Sequence, residues 1–270
     1  MSEYSDKDLS ARLSLMAELS EAARAITLPL FAQDMAVTNK AEAGYDPVTA
    51  ADVEAERALR ELITTHFPKD SIEGEELDDI DGSNDWLWTL DPIDGTRAFV
   101  AGIPVWSTLI AVSYKGAPIL GLIDIPAQEK KFWGAPGRAW LEQGGESTPL
   151  SSRDCGALSG AILGCTEPLS MLRPGELAAY NIIRRGVRFS RLGLDAYGYA
   201  MVAQGRMDII IEAQLKPCDV RALMPVIEGA GGKLTNWHGG SAVDGGQVVA
   251  VGDARLLPEL YTYLGRAMDD

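Results

Sequence analysis

Cysteine and histidine are scarce in this chain. Its three cysteines, Cys155, Cys165 and Cys218, include no CxxC pair and leave an odd number, so the sequence indicates neither a disulfide framework nor a zinc site. This pattern is typical of a reducing compartment, and we expect a cytoplasmic location. The two histidines, His66 and His238, belong to no Ser/His or Cys/His arrangement and are interpreted as structural or surface residues. The sequence therefore indicates no side-chain nucleophile of the Ser/His or Cys/His type.

Basic residues are also few, and no apolar run is long. With 24 Lys and Arg against 39 Asp and Glu, the formal charge of −15 argues against binding to nucleic acid or to an anionic membrane. The first residues, MSEYSDKDLSARL, lack the basic start and apolar run of a signal peptide, and no apolar run reaches the length that crosses a bilayer. We expect a soluble protein whose 270 residues form one or two domains.

The most informative stretch in the chain is WLWTLDPIDGT, residues 86–96. Its apolar start predicts a buried strand, and the Pro and Gly that follow predict a sharp exit from that strand. Pro92 fixes its own φ angle and donates no hydrogen bond, so a turn begins there. The turn can aim the carboxylates of Asp91 and Asp94 and the carbonyl of Ile93 at one point. Oxygen ligands of this kind suit a hard divalent cation.

The residues after Asp94 are suited to bind an anion. Gly95 lets the backbone approach a ligand closely, and the amides of Gly95, Thr96 and Arg97 would form an anion cradle if they open a helix. A cation site beside such a cradle indicates phosphate chemistry, with Asp94, Gly95 and Thr96 at the substrate. The alternative is an acidic turn in which an aspartate only caps a helix, which is the more common role of an isolated DxxD pattern.

Three other blocks accompany this stretch: DPVTAAD at 46–52, the triplet GEE at 74–76, and KPCDVRALMPVIEGAGG at 216–232. Together with DPIDGT, and in the same order, they resemble the inositol monophosphatase superfamily of Mg²⁺-dependent, lithium-sensitive phosphatases. The resemblance covers nearly the whole chain. It implies an α+β and α/β fold, a layered αβαβα sandwich, and a homodimer that hydrolyses a small phosphorylated metabolite. It also implies two or more Mg²⁺ ions per active site, which would draw an anionic substrate to this acidic chain.

The resemblance assigns the metal ligands residue by residue. One Mg²⁺ would be held by Glu75, Asp91 and the carbonyl of Ile93. A second would be held by Asp91, Asp94 and Asp219, so that Asp91 bridges the two ions. From the residues alone, Asp219 is also an ordinary N-cap, because it lies between a proline and the apolar residues of a predicted helix.

The resemblance also assigns the residues that act on water. Thr96 and Glu75 would orient and deprotonate the attacking water, and Asp52 would hold Thr96. Glu76 would be a helper or a surface acid. From the residues alone, Asp52 lies in the first turn of a helix, where it would interact with the helix dipole. Lys40, in a polar loop, either approaches the phosphate as in the family or is a surface lysine.

Substrate selection is assigned to the C-terminal half. Glu212 matches the family residue that binds a substrate hydroxyl or amine, and Asp195 lies where the inositol enzymes have small residues. Two acids at the pocket suit a cationic substrate. The blocks GIPVWSTLIAV, GLIDIP and LKPCDVRALMPVIEGAGG most resemble the histidinol-phosphate phosphatase branch of the superfamily. Leu194 and Cys218 depart from that branch, which commonly has a glycine at the first position and usually an aromatic residue at the second.

Several alternatives stay open at this point. One is a phosphatase for inositol phosphate or another sugar phosphate. Another is a non-catalytic regulatory dimer that has the same fold but acts through a partner, although the presence of every expected metal ligand favours an enzyme. Asp195 has an alternative of its own, a cap on the helix that begins near Ala196.

The predicted elements divide the chain near residue 150. Residues 1–150 are predicted to form an α+β domain that carries most of the metal ligands, begins with a helix from Ser5 to Leu30 capped by Ser5 and Asp8, and contains an antiparallel meander. Residues 151–270 alternate strands and helices, which indicates an α/β domain with the distal metal aspartate. The polar stretch from Gly144 to Gly156 is the candidate boundary, although it is equally compatible with a loop in one compact unit.

Overall fold

The computed structural model describes residues 4–31 and 50–265, together with the backbone of two short strands, β1 (Thr38–Asn39) and β2 (Pro47–Val48). Lys40 and Thr49 lie outside the described residues, so the approach of Lys40 to a phosphate stays a prediction. None of the helices in the described ranges is both long and apolar enough to cross a membrane.

Two helices form one outer layer. Helix α1 (Asp6–Leu30) begins after Ser5, whose hydroxyl accepts from the amide of Asp8 while the Asp8 carboxylate accepts from the amide of Ser5. This is the predicted capping box. Helix α2 (Ala50–His66) packs against α1, and Asp52 lies in its first turn as predicted. The side chains that α1 buries include Leu15, Met16, Leu19 and Ala23.

The first sheet has seven strands in the order β3-β4-β5-β6-β7-β8-β9. They are β3 (Ser71–Gly74), β4 (Trp86–Asp94), β5 (Ser107–Tyr114), β6 (Ala117–Ile125), β7 (Lys130–Ala135), β8 (Arg138–Gln143) and β9 (Glu146–Pro149). From β4 onward each strand pairs antiparallel with the next, which confirms the predicted meander, and β3 pairs parallel with β4.

Strand β9 was not predicted, because its sequence is polar. Gly144 and Gly145 both adopt positive φ angles and make a tight turn that returns the chain beside β8. Backbone hydrogen bonds to β8 then form whatever the polarity of the side chains. All four residues of β9 are exposed, so no apolar pattern marks this edge strand in the sequence.

The second sheet has five strands in the order β11-β10-β12-β14-β13. They are β10 (Ile162–Cys165), β11 (Phe189–Leu192), β12 (Ile209–Leu215), β13 (Lys233–Asn236) and β14 (Gly246–Val251). Strand β10 is parallel to β11 and β12, whereas β14 is antiparallel to β12 and β13. Strand β13, which has one fully buried residue, was not predicted.

Six further helices accompany this sheet in the described part of the chain. They are α4 (Pro168–Met171), α5 (Pro174–Gly186), α6 (Asp195–Ala203), α7 (Pro217–Arg221), α8 (Leu223–Gly229) and α9 (Leu257–Leu264). The apolar residues after Asp219 predict a single helix from Asp219 to about Gly229, and this prediction is wrong, since α7 and α8 are separate. Pro225 has no amide hydrogen to donate to the carbonyl of Arg221, which explains the interruption. A short helix, α3 (Thr96–Val100), follows β4.

The elements form five layers. Helices α1 and α2 cover one face of the first sheet, and a core cluster joins them to β3–β7. Helices α6 and α8 lie between the two sheets, where a second cluster contains residues from both. Helices α5 and α9 cover the far face of the second sheet. The structure is the predicted αβαβα sandwich. Because α8 packs on β6, β7 and β8, the halves before and after residue 150 share a core, and their division into domains stays a prediction.

Candidate metal centre and active site

Strand β4 turns two carboxylates to the same side through a bulge. Asp91 pairs with Leu109 and Asp94 pairs with Ser107, so three steps along β4 match two steps along β5. In a regular strand, residues three apart point to opposite faces. The extra residue next to Pro92 reverses that alternation, so Asp91 and Asp94 both face the same cluster. The sharp exit predicted at Pro92 is therefore a bulge inside the strand.

Other elements bring further acids to this point. Strand β3 runs parallel to β4 with Gly74 beside Leu90, which puts Glu75 next to Asp91. Asp219 is the third residue of α7, and its Oδ2 accepts from the amide of Lys216 at 2.6 Å. One ligand oxygen each from Asp91, Asp94 and Asp219 lies within 4.8 Å of the others. The four acids named as metal ligands from the sequence thus lie in two groups that share Asp91, whereas the role of the Ile93 carbonyl stays a prediction. Lys216 is the N-cap of α7, and Asp219 is the third helix residue, whose carboxylate accepts from the N-cap amide.

The charges in this cluster oppose one another. Burial raises the pKa of Asp91 well above its ordinary value, and the charges of Glu75 and Asp94 raise it further. Burial is also the main cause that raises the pKa of Asp94 to about 6 and that of Asp219 to about 7. Asp91 Oδ1 is fully buried, and no hydrogen-bond donor within the described ranges reaches it. A divalent cation would supply both the missing partner and the missing positive charge, so the donor set fits a metal of the Mg²⁺ class.

Thr96 and Asp52 each contact or approach a residue that was named as a metal ligand. The Thr96 hydroxyl donates to the carbonyl of Ile93 at 3.2 Å, which is the carbonyl named as a metal ligand. Asp52 is buried, and one of its oxygens lies within 4.8 Å of oxygens of Glu75 and Glu76. The contact between Asp52 and Thr96, by which Asp52 would hold the threonine, stays a prediction.

Gly95 begins α3 in the left-handed conformation, with φ of 80°. A Cβ at this position would lie 3.0 Å from the carboxylate of Asp195, so the close approach of α6 also requires glycine. The amides of Thr96 and Arg97 open α3, which meets the condition set for an anion cradle, and the first amides of a helix have no acceptor within it. Their use as an anion cradle stays a prediction.

Asp195 and Glu212 line a cavity of about 120 Å³ together with Asp94 and Asp219. It adjoins a more open cavity of about 300 Å³, whose lining includes Thr96. Glu212 is buried and accepts from the Tyr199 hydroxyl at 2.8 Å and from the amide of Thr166 at 2.7 Å. A larger cavity, about 870 Å³, lies between α1 and the β8–β9 hairpin and contains none of the clustered acids.

The two pocket acids have strongly raised pKa values. Burial is the largest cause for both; it raises the pKa of Glu212 to about 7 and that of Asp195 to about 8. The charge of Asp94 adds to the shift of both residues. A positively charged group in the cavity would therefore stabilise the ionised forms of both acids, as the charge of Arg97 already does for Asp195.

Asp195 does not cap α6, so that alternative is wrong. It is the first residue of the helix, with φ of 47°. Within the described part of the chain, no side-chain hydrogen bond caps the N-terminus of α6. The amide of Ala196 instead donates to Asp94 Oδ2 at 2.9 Å, and the Ser107 hydroxyl donates to the same oxygen at 2.8 Å. Asp94 thus links the acid cluster to α6, the helix that carries Asp195.

Sequence reasoning missed the residues that hold Glu75. Lys216 Nζ lies 2.8 Å from Glu75 Oε1. The fully buried Glu56, on α2, accepts from the amides of Glu76 and Leu77, which follow Glu75. Gly74 is required here because a Cβ would lie 2.2 Å from Glu56 Oε1. Lys216 is the first residue of the block at 216–232 and could have been identified from the sequence, whereas nothing in the local pattern distinguishes Glu56 from a surface acid.

Arg60 completes this set of contacts, which we call the α2 clamp: Glu56 and Arg60 with the backbone of residues 76–78. Arg60 Nε donates to Glu56 Oε1 at 2.7 Å. Its two terminal nitrogens donate to the carbonyls of Leu77 at 2.9 Å and Asp78 at 2.7 Å. Both side chains are buried, so the clamp fixes the backbone immediately after Glu75.

The chain is similar to known proteins over most of its length. The model of the inositol monophosphatase family matches residues 8–267. A protein of Arabidopsis thaliana named bifunctional phosphatase IMPL2, chloroplastic, is 40% identical over 240 residues, which are 88% of this chain and 68% of that protein. The histidinol-phosphatase of Chlorobaculum parvum is 32% identical over 244 residues, which are 90% of this chain and 92% of that protein. An inositol monophosphatase from Zymomonas mobilis superposes with a TM-score of 0.83 at 33% identity, covering 97% of this chain and 100% of that chain. This chain belongs to the inositol monophosphatase family and is a phosphoric monoester hydrolase.

Proposed function

We propose that this protein hydrolyses histidinol phosphate to histidinol and phosphate with the help of two or more Mg²⁺ ions. One observation carries the choice of substrate: two acids, the half-buried Asp195 and the buried Glu212, line a cavity that also contains Asp94 and Asp219 of the acid cluster. A phosphate bound at the cluster would thus have an amine or imidazole within reach of two carboxylates.

The metal ligands in this proposal come from the acid cluster. Glu75, Asp91 and the carbonyl of Ile93 would hold one ion, and Asp91, Asp94 and Asp219 would hold the other. When bound, such ions lower the pKa of a water molecule, neutralise phosphate oxygens and stabilise the leaving alkoxide. The buried Asp91 Oδ1, which lacks a donor among the described residues, supports its bridging role.

The remaining residues of the cluster would act on water and phosphate. Glu75 would accept the proton of the attacking water, and Thr96 would orient that water through its hydroxyl. That hydroxyl is next to the metal-binding carbonyl, because it donates to Ile93. Asp52 would hold Thr96, and the amides of Gly95 and Thr96 would receive the phosphate.

The substrate end of the pocket favours a cation. Ionising Asp195 or Glu212 without a partner is unfavourable, as the pKa values of about 8 and about 7 indicate. An ammonium or imidazolium group would pair with them, whereas a neutral polyol would leave the charges unbalanced. Relatives named histidinol-phosphatase, at 32–33% identity, support the same substrate.

A Mg²⁺-dependent phosphate-release assay tests the proposal with histidinol phosphate and inositol phosphate side by side. We expect histidinol phosphate to have the higher kcat/KM. A charge-assisted contact contributes about 1.5–3 kcal/mol, which corresponds to a preference of roughly ten- to a hundredfold. Asp195→Asn should reduce that preference. Equal losses on both substrates would refute the role of Asp195, and a preference for inositol phosphate in the unmodified protein would refute the substrate.

We further propose that the protein acts as a homodimer in the cytoplasm. The resemblance of DPIDGT and its companion blocks to the family supports the dimer, and the cysteine pattern supports the compartment. Light scattering on the purified protein measures the oligomeric state directly, and a monomeric mass at assay concentration would contradict the dimer.

A further inference from the structure

Cys218 lies at the metal centre. It is the second residue of α7, buried, between Pro217 and Asp219. Its sulfur and one oxygen each from Glu75 and Asp91 all lie within 4.8 Å of one another. The thiol also contacts Asp219 Oδ1, at 3.8 Å. The spacing of cysteines in the sequence did not indicate this group, because its members come from the residue after β3, from β4 and from α7.

A second observation points to a ligand at the same place. Asp91 is 1% exposed, and its Oδ1 has no hydrogen-bond donor within the described parts of the chain. The three side chains together offer one sulfur and two carboxylates. Mg²⁺ accepts only the oxygens readily, whereas Zn²⁺ and Cd²⁺ bind thiolate and carboxylate together. Three protein ligands with one open position are typical of accessible Zn²⁺ sites.

We propose that Glu75, Asp91 and Cys218 form a mixed thiolate and carboxylate site that binds a soft or borderline divalent cation of the Zn²⁺ class. This cation competes with Mg²⁺ because both use Glu75 and Asp91. Coordination replaces the proton of the thiol, which is released to the buffer. The proposal shares two residues with the Mg²⁺ site of the proposed function, but it depends on neither catalysis nor the identity of the substrate.

Lys216 is compatible with such a site. Its Nζ binds Glu75 Oε1, and its side chain is 55% exposed. The ammonium group can therefore move into solvent when a divalent cation takes its place at Glu75. Cys155 and Cys165, in contrast, belong to a core cluster around β10 and α5, and no metal-binding group found among the described residues includes either of them.

Cd²⁺ is the probe that distinguishes thiolate from carboxylate ligands, since a sulfur–cadmium bond adds a charge-transfer band in the ultraviolet. We expect titration of the metal-free protein with Cd²⁺ to produce this band until one cation per chain is bound, and Zn²⁺ to remove it by competition. Cys155→Ser, the matched control, should behave as the unmodified protein does. Cys218→Ser should show no such band and bind Zn²⁺ at least roughly tenfold more weakly.

Either of two results would overturn the proposal: the unmodified protein shows no cadmium charge-transfer band, or Cys218→Ser still shows it. X-ray absorption on the Zn²⁺-loaded unmodified protein needs no variant, and it should detect one sulfur at about 2.3 Å. A shell of oxygen atoms only would refute the site even if Cys218→Ser failed to fold. Mg²⁺-dependent phosphate release without a cadmium band would refute this proposal alone, and a band without phosphate release would refute only the proposed function.

Discussion

Glu56→Gln tests whether the α2 clamp sets the position of Glu75. Glu56 accepts from the amides of Glu76 and Leu77 and from Arg60, so it fixes the backbone that follows Glu75. Glutamine has nearly the same shape, but it is neutral and carries a donor where the carboxylate has an acceptor. One of the three donors must then face another donor, and the segment should shift.

The size of the effect follows from burial. The Glu56 side chain is fully buried and the Arg60 side chain is 7% exposed. Breaking a buried ion pair costs about 3–5 kcal/mol, and glutamine retains one acceptor oxygen. We therefore expect the free energy of unfolding to fall by about 2–3 kcal/mol. If Glu75 is a metal ligand, displacing its supports should also weaken Mg²⁺ binding by roughly 10- to 100-fold.

A second buried ion pair provides the matched control. Asp70 accepts from Arg12 Nε and from a terminal nitrogen of Arg12, each at 2.9 Å, and both side chains are almost completely buried. Asp70 belongs to none of the acid groups at the metal centre found in the described residues. Asp70→Asn should therefore lower the stability by a similar amount and leave Mg²⁺ affinity unchanged.

Two measurements on each variant separate stability from metal binding. Urea unfolding of the metal-free proteins gives the loss of stability, and calorimetric titration with Mg²⁺ at a temperature where both variants are folded gives the affinity. The reasoning predicts that only Glu56→Gln weakens Mg²⁺ binding. Equal Mg²⁺ affinities in the two variants, at equal losses of stability, would show that the clamp has no role beyond folding.

Three further predictions concern charges at the site. Asp91→Asn should abolish Mg²⁺-dependent phosphate release, because both ions lose a shared ligand, while circular dichroism shows a folded protein. Near-normal turnover would contradict the role of Asp91 as a bridge between the two ions. Lys216→Met should strengthen Mg²⁺ binding up to about fivefold, because the cation no longer has to displace an exposed ion pair with Glu75 that is worth at most about 1 kcal/mol. Weaker binding in a titration would show that the lysine assists the metal. In the metal-free protein, the pKa of Glu212 is raised from 4.5 to about 7, so the folded state binds the extra proton. Stability should thus fall as pH rises from roughly 4.5 to 7, by at most about 3 kcal/mol from this residue, and urea unfolding should show a shallower decline in Glu212→Gln.

Much of the fold was predictable because it rests on local pattern. The capping box of α1 and the helical repeat of its apolar residues lie within a few positions of one another. The meander is marked by short turns between apolar runs. Its polar edge strand β9 was not predicted, since it has no apolar pattern. The break between α7 and α8 was not predicted either, because it depends on one proline in an otherwise helical run.

The acid cluster was named from the sequence because its residues stand in recognisable blocks. The way they meet was decided by tertiary structure: the bulge that turns Asp91 and Asp94 to one side needs β5 as its partner. Asp94 rather than Asp195 supports α6, through a hydrogen bond that spans 102 positions. Periodicity records which side of an element is buried, but it carries no information about the element that will lie opposite.

The same reason explains the contacts around Glu75. Lys216, 141 positions away, binds this glutamate, and Cys218 lies within reach of it and of Asp91. Neither residue stands in a spacing that marks a site. The sequence alone was enough to predict most of the helices and strands, the family and the acids of the centre. The lysine, the thiol and the α2 clamp became part of that centre only through packing, because the folded chain alone sets the distances between residues far apart in sequence.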